Sequence, residues 1–168
     1  MADKYLGIKL TEEFKRKLFL IAKGLGINPD DLISLMISES KIATGKSPYS
    51  DAVGLIQFAV ETGGYSLDQI ADMNPITQLD LVEQFFIDRF RENPTANPNN
   101  IVDLYTLMFL PVAGGYGKGD DFIITDSTEE YYYWNTSLDE NNDQKITRGD
   151  LRKHVEVEIE LYNKNLVN

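Results

Sequence analysis

Glu39 closes an apolar stripe. Leu32, Leu35, Met36 and Glu39 recur at i, i+3, i+4 and i+7, which is one face of a helix. A carboxyl on an apolar wall is desolvated, and desolvation penalises the charged form and raises the pKa. A raised pKa is what a general acid needs to work near neutral pH. The plainer alternative at this spacing is a surface Glu where the stripe frays at the helix end. The element that must position Glu39 starts at Asn28-Pro29-Asp30-Asp31. Asn caps, Pro suits the first helical position, and the two acids favour the positive end of the helix dipole.

The run Met36-Ile37-Ser38-Glu39-Ser40, followed by Gly54-Leu55-Ile56-Gln57-Phe58, resembles the signature of the lysozyme-like lytic transglycosylases. It is most similar to the forms carried by bacteriophages, in virions or as lysis enzymes (endolysins). The similarity continues through Gln78-Leu79-Asp80 and the stretch from Tyr105 to Pro111. The resemblance implies a peptidoglycan-degrading glycosidase that cleaves the β-1,4 bond between N-acetylmuramic acid and N-acetylglucosamine. It implies that Glu39 is the general acid and then the base, giving a 1,6-anhydro product with no catalytic cofactor. It places Tyr105 close to Glu39, with Ser40 and Gln57 at the substrate. Read without the resemblance, Tyr105 is equally a core aromatic and Gln57 equally a loop tie. Asp51 is a candidate second carboxylate, which defines a rival: a hydrolytic muramidase in which Asp51 activates water. Carboxylates about 6.5–9.5 Å apart fit inversion and about 5 Å fits retention. A further rival is a catalytically silent, calcium-binding structural component of a phage particle. Expected partners are the glycan strands of peptidoglycan and, for a virion component, other virion proteins.

A second set of residues points to a metal. Asp139, Asn141 and Asp143 place side-chain oxygens at positions one, three and five of a twelve-residue loop. The Lys145 carbonyl stands at position seven and Asp150 at position twelve. The stretch resembles an EF-hand calcium loop of the dockerin kind, and flexible oxygen ligands in this number suit hard Ca²⁺ in a structural role. Ile146 is expected to pack inward and Thr147 to cap the exiting helix. Gln144 stands at position six, where Gly is usual, and must take a left-handed turn. Asp150 is shorter than the usual bidentate Glu. The alternative is an acidic turn that only resembles a site.

Composition narrows the class. The 168 residues suffice for one domain spanning 1–168, with the calcium segment at 127–165. No cysteine is present, so thiol chemistry and disulfides are excluded. Met1-Ala2-Asp3-Lys4-Tyr5 lacks a signal-peptide pattern, and no apolar run reaches membrane-spanning length. The expected route is synthesis in a host cytoplasm and action in the periplasm or cell wall. A formal charge of -11 argues against nucleic acid as a partner, since phosphates need Lys and Arg. It also removes long-range attraction to anionic wall polymers, which favours delivery within a larger particle.

The supporting elements read as mostly helical. Thr11 caps a helix through Phe14, Leu18, Phe19 and Ala22, ended by Gly24 or Gly26. Residues 40–65 read as loop and short extended structure. Ser66 to Gln69 fits a capping box, and so does Ser127 to Glu130. A longer helix starts at Thr77, another at Asn99 or Asn100 and stops at Pro111, and a last one runs from about Thr147 to Tyr162. Phe122 to Ile124 reads as a short strand and Gly114 to Gly119 as a flexible loop. His154 falls on a charged helix and reads as a surface residue. Trp134 and Tyr131 to Tyr133 either stack on sugar or, the favoured reading, pack the calcium loop onto the body. The expected fold class is mainly α, of the α+β lysozyme-like kind, with a small irregular or β lobe and a C-terminal EF-hand-like appendage.

Overall fold

Capping chemistry sets the helix starts. Thr11 accepts the Phe14 N–H (3.2 Å) and opens α1 (Glu12–Leu25), which Gly26 closes at φ 71°. The computed structural model of the protein describes residues 11–166, so the reading of Met1 to Tyr5 lies outside the described residues. Phe14, Leu18, Ile21 and Ala22 face the core, but Phe19 is exposed. It stands five residues past Phe14, and at about 100° per residue that turns it to the far side.

Asn28 caps α2 (Pro29–Ser40) by accepting the Asp30 N–H. Every residue from Leu32 to Ile37 is buried, because α2 packs against α1 and two later helices at once. The helix ends in paired bonds from Lys41 N–H to the Ile37 carbonyl (3.0 Å) and from Ile42 N–H to the Met36 carbonyl (3.2 Å). Lys41 (φ 55°) and Ile42 (φ 62°) both lie in the left-handed region that glycine usually takes at a helix end. A β-branched residue there is a genuine outlier, and strain of this kind collects near functional sites. Glu39 stands two residues before Lys41 and three before Ile42.

The chain from Ile42 to Ser66 forms only isolated bridges, Lys46 to Val53, Val53 to Phe58 and Thr62 to Tyr65. Then come α3 (Leu67–Ala71), with the expected Ser66–Gln69 capping box, and α4 (Pro75–Glu92). The latter starts earlier than Thr77, because Asn74 caps it and Pro75 takes the first turn, the Asn-Pro device already used by α2. Asn100 caps α5 (Ile101–Phe109). Two strands, β1 (Ile123–Asp126) and β2 (Lys145–Thr147), pair antiparallel, with α6 (Glu130–Trp134) between them and α7 (Arg148–Leu166) after. The architecture is mainly helical with one small antiparallel sheet.

Two expectations change. No capping box forms at Ser127; Asp126 accepts the Thr128 N–H (2.8 Å) and hydroxyl (2.6 Å), and Glu129 accepts the Thr125 hydroxyl (2.7 Å). The C-terminal segment is also not an appendage, because α7 packs on α2 and α5. Its first residue, Arg148, is wholly buried against wholly buried Asp103 of α5 (Nη2 to Oδ1 2.6 Å). Asp103 further accepts the N–H groups of Asn97 and Gly117, and Arg148 Nε donates to the Lys118 carbonyl. The glycine loop is therefore pinned at Gly117 and Lys118.

The irregular lobe is held by one amide. Gln78, buried on α4, accepts the Leu55 N–H (3.0 Å) and donates to the carbonyls of Thr44 and Ile70 (both 2.7 Å). Gln78→Leu keeps the bulk and leaves those backbone groups unbonded in the interior. The expected cost is about 3–5 kcal/mol, a fall of roughly 10–15 °C in melting temperature for a chain of this size. Calorimetry checks it; a melt within about 2 °C of the parent would show that the lobe is held by other means.

Candidate functional site

The last turn of α2 delivers Glu39 to the wall of a pocket of about 490 Å³. Tyr105 and Phe109 reach it from α5, Tyr131 and Trp134 from α6, His154 from α7, and Gln57 from the irregular lobe. Pockets of about 540 and 690 Å³ adjoin on either hand: Gln57 lines all three, and Glu39 lines the first two. Together they form a groove with Glu39 and Gln57 in its middle stretch.

Burial raises the Glu39 carboxyl from 4.5 to about 7, against the opposing pull of a Tyr105 hydrogen bond and the Lys41 charge. The Tyr105 hydroxyl is itself pushed well above its ordinary value, by burial first and by the neighbouring Glu39 charge second. Tyr105 therefore stays protonated, with its hydroxyl as the donor facing the Glu39 carboxyl. Among the residues lining the central pocket Glu39 is the sole carboxylate. In the flanking pocket that Glu39 shares, Glu158 is the other carboxylate, and it is paired with Lys41; the third pocket, which Glu39 does not line, carries Glu61, Asp88 and Glu92, the last two paired with Arg91 and Arg89.

The motif residues around Gln57 have structural reasons of their own. Gly54 sits at φ 81°, and a Cβ there would lie 2.7 Å from Gln78 Oε1. Leu55 and Phe58 are buried, and the Val53–Phe58 bridge closes the turn with bonds of 3.0 and 2.7 Å. Gln57 is held at φ 56°, and its Nε2 donates to the Gly54 carbonyl (3.1 Å). A non-glycine residue kept in that region, at the junction of three pockets, is a local strain of about 1–3 kcal/mol.

Other expected contacts fall elsewhere. Ser40 borders the flanking pocket, but its hydroxyl donates within bonding distance of the Leu55 (2.9 Å) and Met36 (3.1 Å) carbonyls and accepts the Ala43 N–H. It ties α2 to the motif turn and is not free for a ligand. Asp51 is exposed near Lys46 and lines none of the three pockets. His154, expected at the surface, is half-buried and stacks on Tyr105 at 5.9 Å, and burial lowers its pKa. Of the aromatic run only Tyr132 packs toward the acidic loop; Tyr131, Tyr133 and Trp134 are exposed.

The acidic loop is pre-shaped by its own backbone. Asp139 accepts N–H groups from Asp143 (3.1 Å) and Gln144 (2.9 Å), Asn141 accepts from Asp143 (2.9 Å), and Asp143 accepts from Lys145 (3.1 Å). Gln144 takes the expected left-handed turn at φ 68°, Ile146 is fully buried, and Thr147 and Asp150 cap α7 reciprocally. Asp139 also accepts the Tyr132 hydroxyl (2.7 Å), which pushes that hydroxyl up to about 12. Among the described residues no group of three or more acidic or histidine side chains is gathered around one point. Asp139, Asn141 and Asp143 carry oxygen donors at alternate positions of this loop. No family model, curated protein or solved structure matches the chain.

The raised Glu39 pKa has a definite sign for stability. Unfolded chains release this proton near pH 4.5 and the folded protein near pH 7, so the folded state binds more protons in between. Stability contributed by the protonated group is therefore present below pH 4.5 and lost as pH rises to 7. The loss is on the order of 3 kcal/mol, an upper figure because the carboxyl touches solvent at the groove. Glu39→Gln is expected to be more stable than the parent above pH 7 and to match it near pH 4. Urea denaturation at the two pH values checks this; equal offsets at both would place an ordinary carboxylate at position 39.

Proposed function

We propose that the protein cleaves peptidoglycan strands at the β-1,4 bond between N-acetylmuramic acid and N-acetylglucosamine, as a lytic transglycosylase of lysozyme-like type. The observation that carries the reading is Glu39: one carboxyl, raised to about 7, the sole carboxylate lining the central one of three adjoining pockets. The motif resemblance supplies the reaction. Glu39 donates its proton to the glycosidic oxygen as the C1–O bond breaks. The resulting carboxylate, held by Tyr105, takes the proton of the muramic acid 6-hydroxyl as that oxygen bonds to C1. A 1,6-anhydro ring results and Glu39 is protonated again. The hydrolytic rival requires a second carboxylate to activate water. Asp51, exposed and absent from the groove lining, lends it no support. The same features favour a working enzyme over a silent particle component. The setting proposed for it is a phage lysis enzyme or virion protein acting at the cell wall. Among the described residues no helix is long and apolar enough to cross a membrane.

Glu39→Gln keeps the shape and cannot donate a proton. Loss of general acid catalysis is expected to lower the cleavage rate about 10²–10⁴-fold, and further if one group serves both steps. The products of the parent protein are expected to be lighter by one water than hydrolysis products. Mass spectrometry of muropeptides from purified sacculi reads both. Reducing-end muramic acid as the sole product would establish the hydrolase, and full-speed clearing by Glu39→Gln would remove Glu39 from the mechanism.

In the same reading Asp139, Asn141, Asp143, the Lys145 carbonyl and Asp150 would hold Ca²⁺. The ion would neutralise mutually repelling carboxylates and fix the loop, with no part in bond cleavage. A ligand bound only by the folded state adds RT ln(1 + [L]/Kd), about 2.7 kcal/mol at a hundredfold excess. Melting temperature is expected to rise with Ca²⁺ and fall with chelator, Mg²⁺ substituting poorly. Asp139→Ala with Asp143→Ala is expected to abolish the response while cleavage stays measurable at low temperature. A melt indifferent to Ca²⁺ and chelator would reduce the loop to an acidic turn.

A further inference from the structure

Trp134 is 67% exposed and Tyr131 38% exposed, yet both line the pocket that holds Glu39. They are the groove end of a continuous aromatic wall. Tyr105 stacks on Phe109 (6.4 Å, 11° between planes), Phe109 meets Tyr131 edge-on (6.0 Å), and Tyr131 contacts Trp134 (5.7 Å). The wall thus runs from the hydroxyl that faces Glu39 out to an open indole. The backbone beneath it is fixed. Tyr132 points inward from the same short helix and donates to Asp139, the Tyr133 hydroxyl donates to the Ser127 carbonyl (2.8 Å), and Asn135 Nδ2 to the Tyr131 carbonyl (2.9 Å).

The chemistry of the pocket selects the ligand. No Lys or Arg lines it, so a phosphate or other anionic group finds no cation there. Asn135, Ser137 and Ser50 add amide and hydroxyl groups beside the rings. An apolar aromatic face edged by uncharged hydrogen-bonding groups matches a pyranose, which offers a face of C–H bonds and a rim of hydroxyls. Rigid, amphipathic Trp and Tyr rings supply contact area at low conformational cost. Building on the glycan-cleavage reading, we propose that Trp134 and Tyr131 form a stacking platform for one ring of a β-1,4-linked N-acetylamino-sugar strand, a subsite contributed by the C-terminal segment.

Trp134 is the chain's single tryptophan, so its emission reports on this subsite alone. The test titrates the full-length Glu39→Gln protein with a β-1,4-linked tetramer of N-acetylglucosamine, by fluorescence and calorimetry, and measures wall cleavage by Trp134→Ala with Glu39 intact. A saturable blue shift is expected, with Trp134→Ala raising Kd about tenfold, which is about 1.4 kcal/mol. Trp134→Phe should recover part of the affinity, and melting curves should be unchanged because the indole is exposed. Tetramer binding with unmoved emission, or with Kd unaffected by Trp134→Ala, overturns the platform. So does absence of binding. In each case, wall cleavage by the parent protein leaves the proposed activity standing, whereas absence of both binding and cleavage overturns the two together.

Discussion

Keeping one carboxyl dry is the constraint on which the rest of the structure depends. Glu39 costs stability wherever it is ionised and buried, so the surroundings must hold it there against that cost. They do so by surrounding α2 with α1, α5 and α7, so that the helix is buried from Leu32 to Ile37 before Glu39 reaches the groove. The Asp103–Arg148 pair fixes α5 to the start of α7, and those two helices carry Tyr105 and His154. A buried ion pair is weak evidence for net stability. Here it fixes the relative placement of the two elements that shield the acid from bulk water.

The other side of the groove is an irregular lobe that cannot bury its polar backbone by forming a sheet. Buried backbone groups need partners, and one Gln78 amide supplies three of them. The close approach of that amide excludes a side chain at position 54, while the turn it stabilises holds Gln57 in a left-handed conformation facing the groove. Ser40 completes the arrangement by bonding the Leu55 carbonyl from the end of α2. Glu39, Ser40, Gly54, Leu55, Gln57 and Gln78 thus form one mechanical unit, which gives the short motif a physical meaning without reference to substrate.

What could be read from the sequence was local. Thr11, Asn28, Ser66 and Asn100 cap the helices they were expected to cap, because a cap bond closes within three residues. The stripe that led to Glu39 is equally local, and its burial followed. The misses came from competition or from distance. The capping box expected at Ser127 lost to Gln144, whose carbonyl accepts the Ser127 N–H (3.0 Å) and whose Oε1 accepts the Ser127 hydroxyl (3.2 Å). Thr77 was passed over for Asn74 because Pro75 pre-sets the first turn. Ser40 was drawn to a carbonyl fifteen residues away. His154 met Tyr105 through packing of α5 and α7, and no spacing rule within either helix encodes that meeting. The signal that remained available was the aromatic run itself: four rings in succession on a helix this short cannot all face inward.

That last point bears on why the C-terminal segment exists in this form. A five-residue α6 has room for one inward aromatic, and Tyr132 takes it by bonding Asp139, the first oxygen of the acidic loop. The remaining rings are left on the other side, where Tyr131 and Trp134 meet the groove. One short helix therefore touches the loop with one face and the groove with the other. Exposed Trp134 is then not a packing defect but the outward consequence of an inward bond. The order of the loop and the position of the aromatic wall are tied to the same backbone, as they would not be if the acidic loop stood apart from the helical body as a separate module.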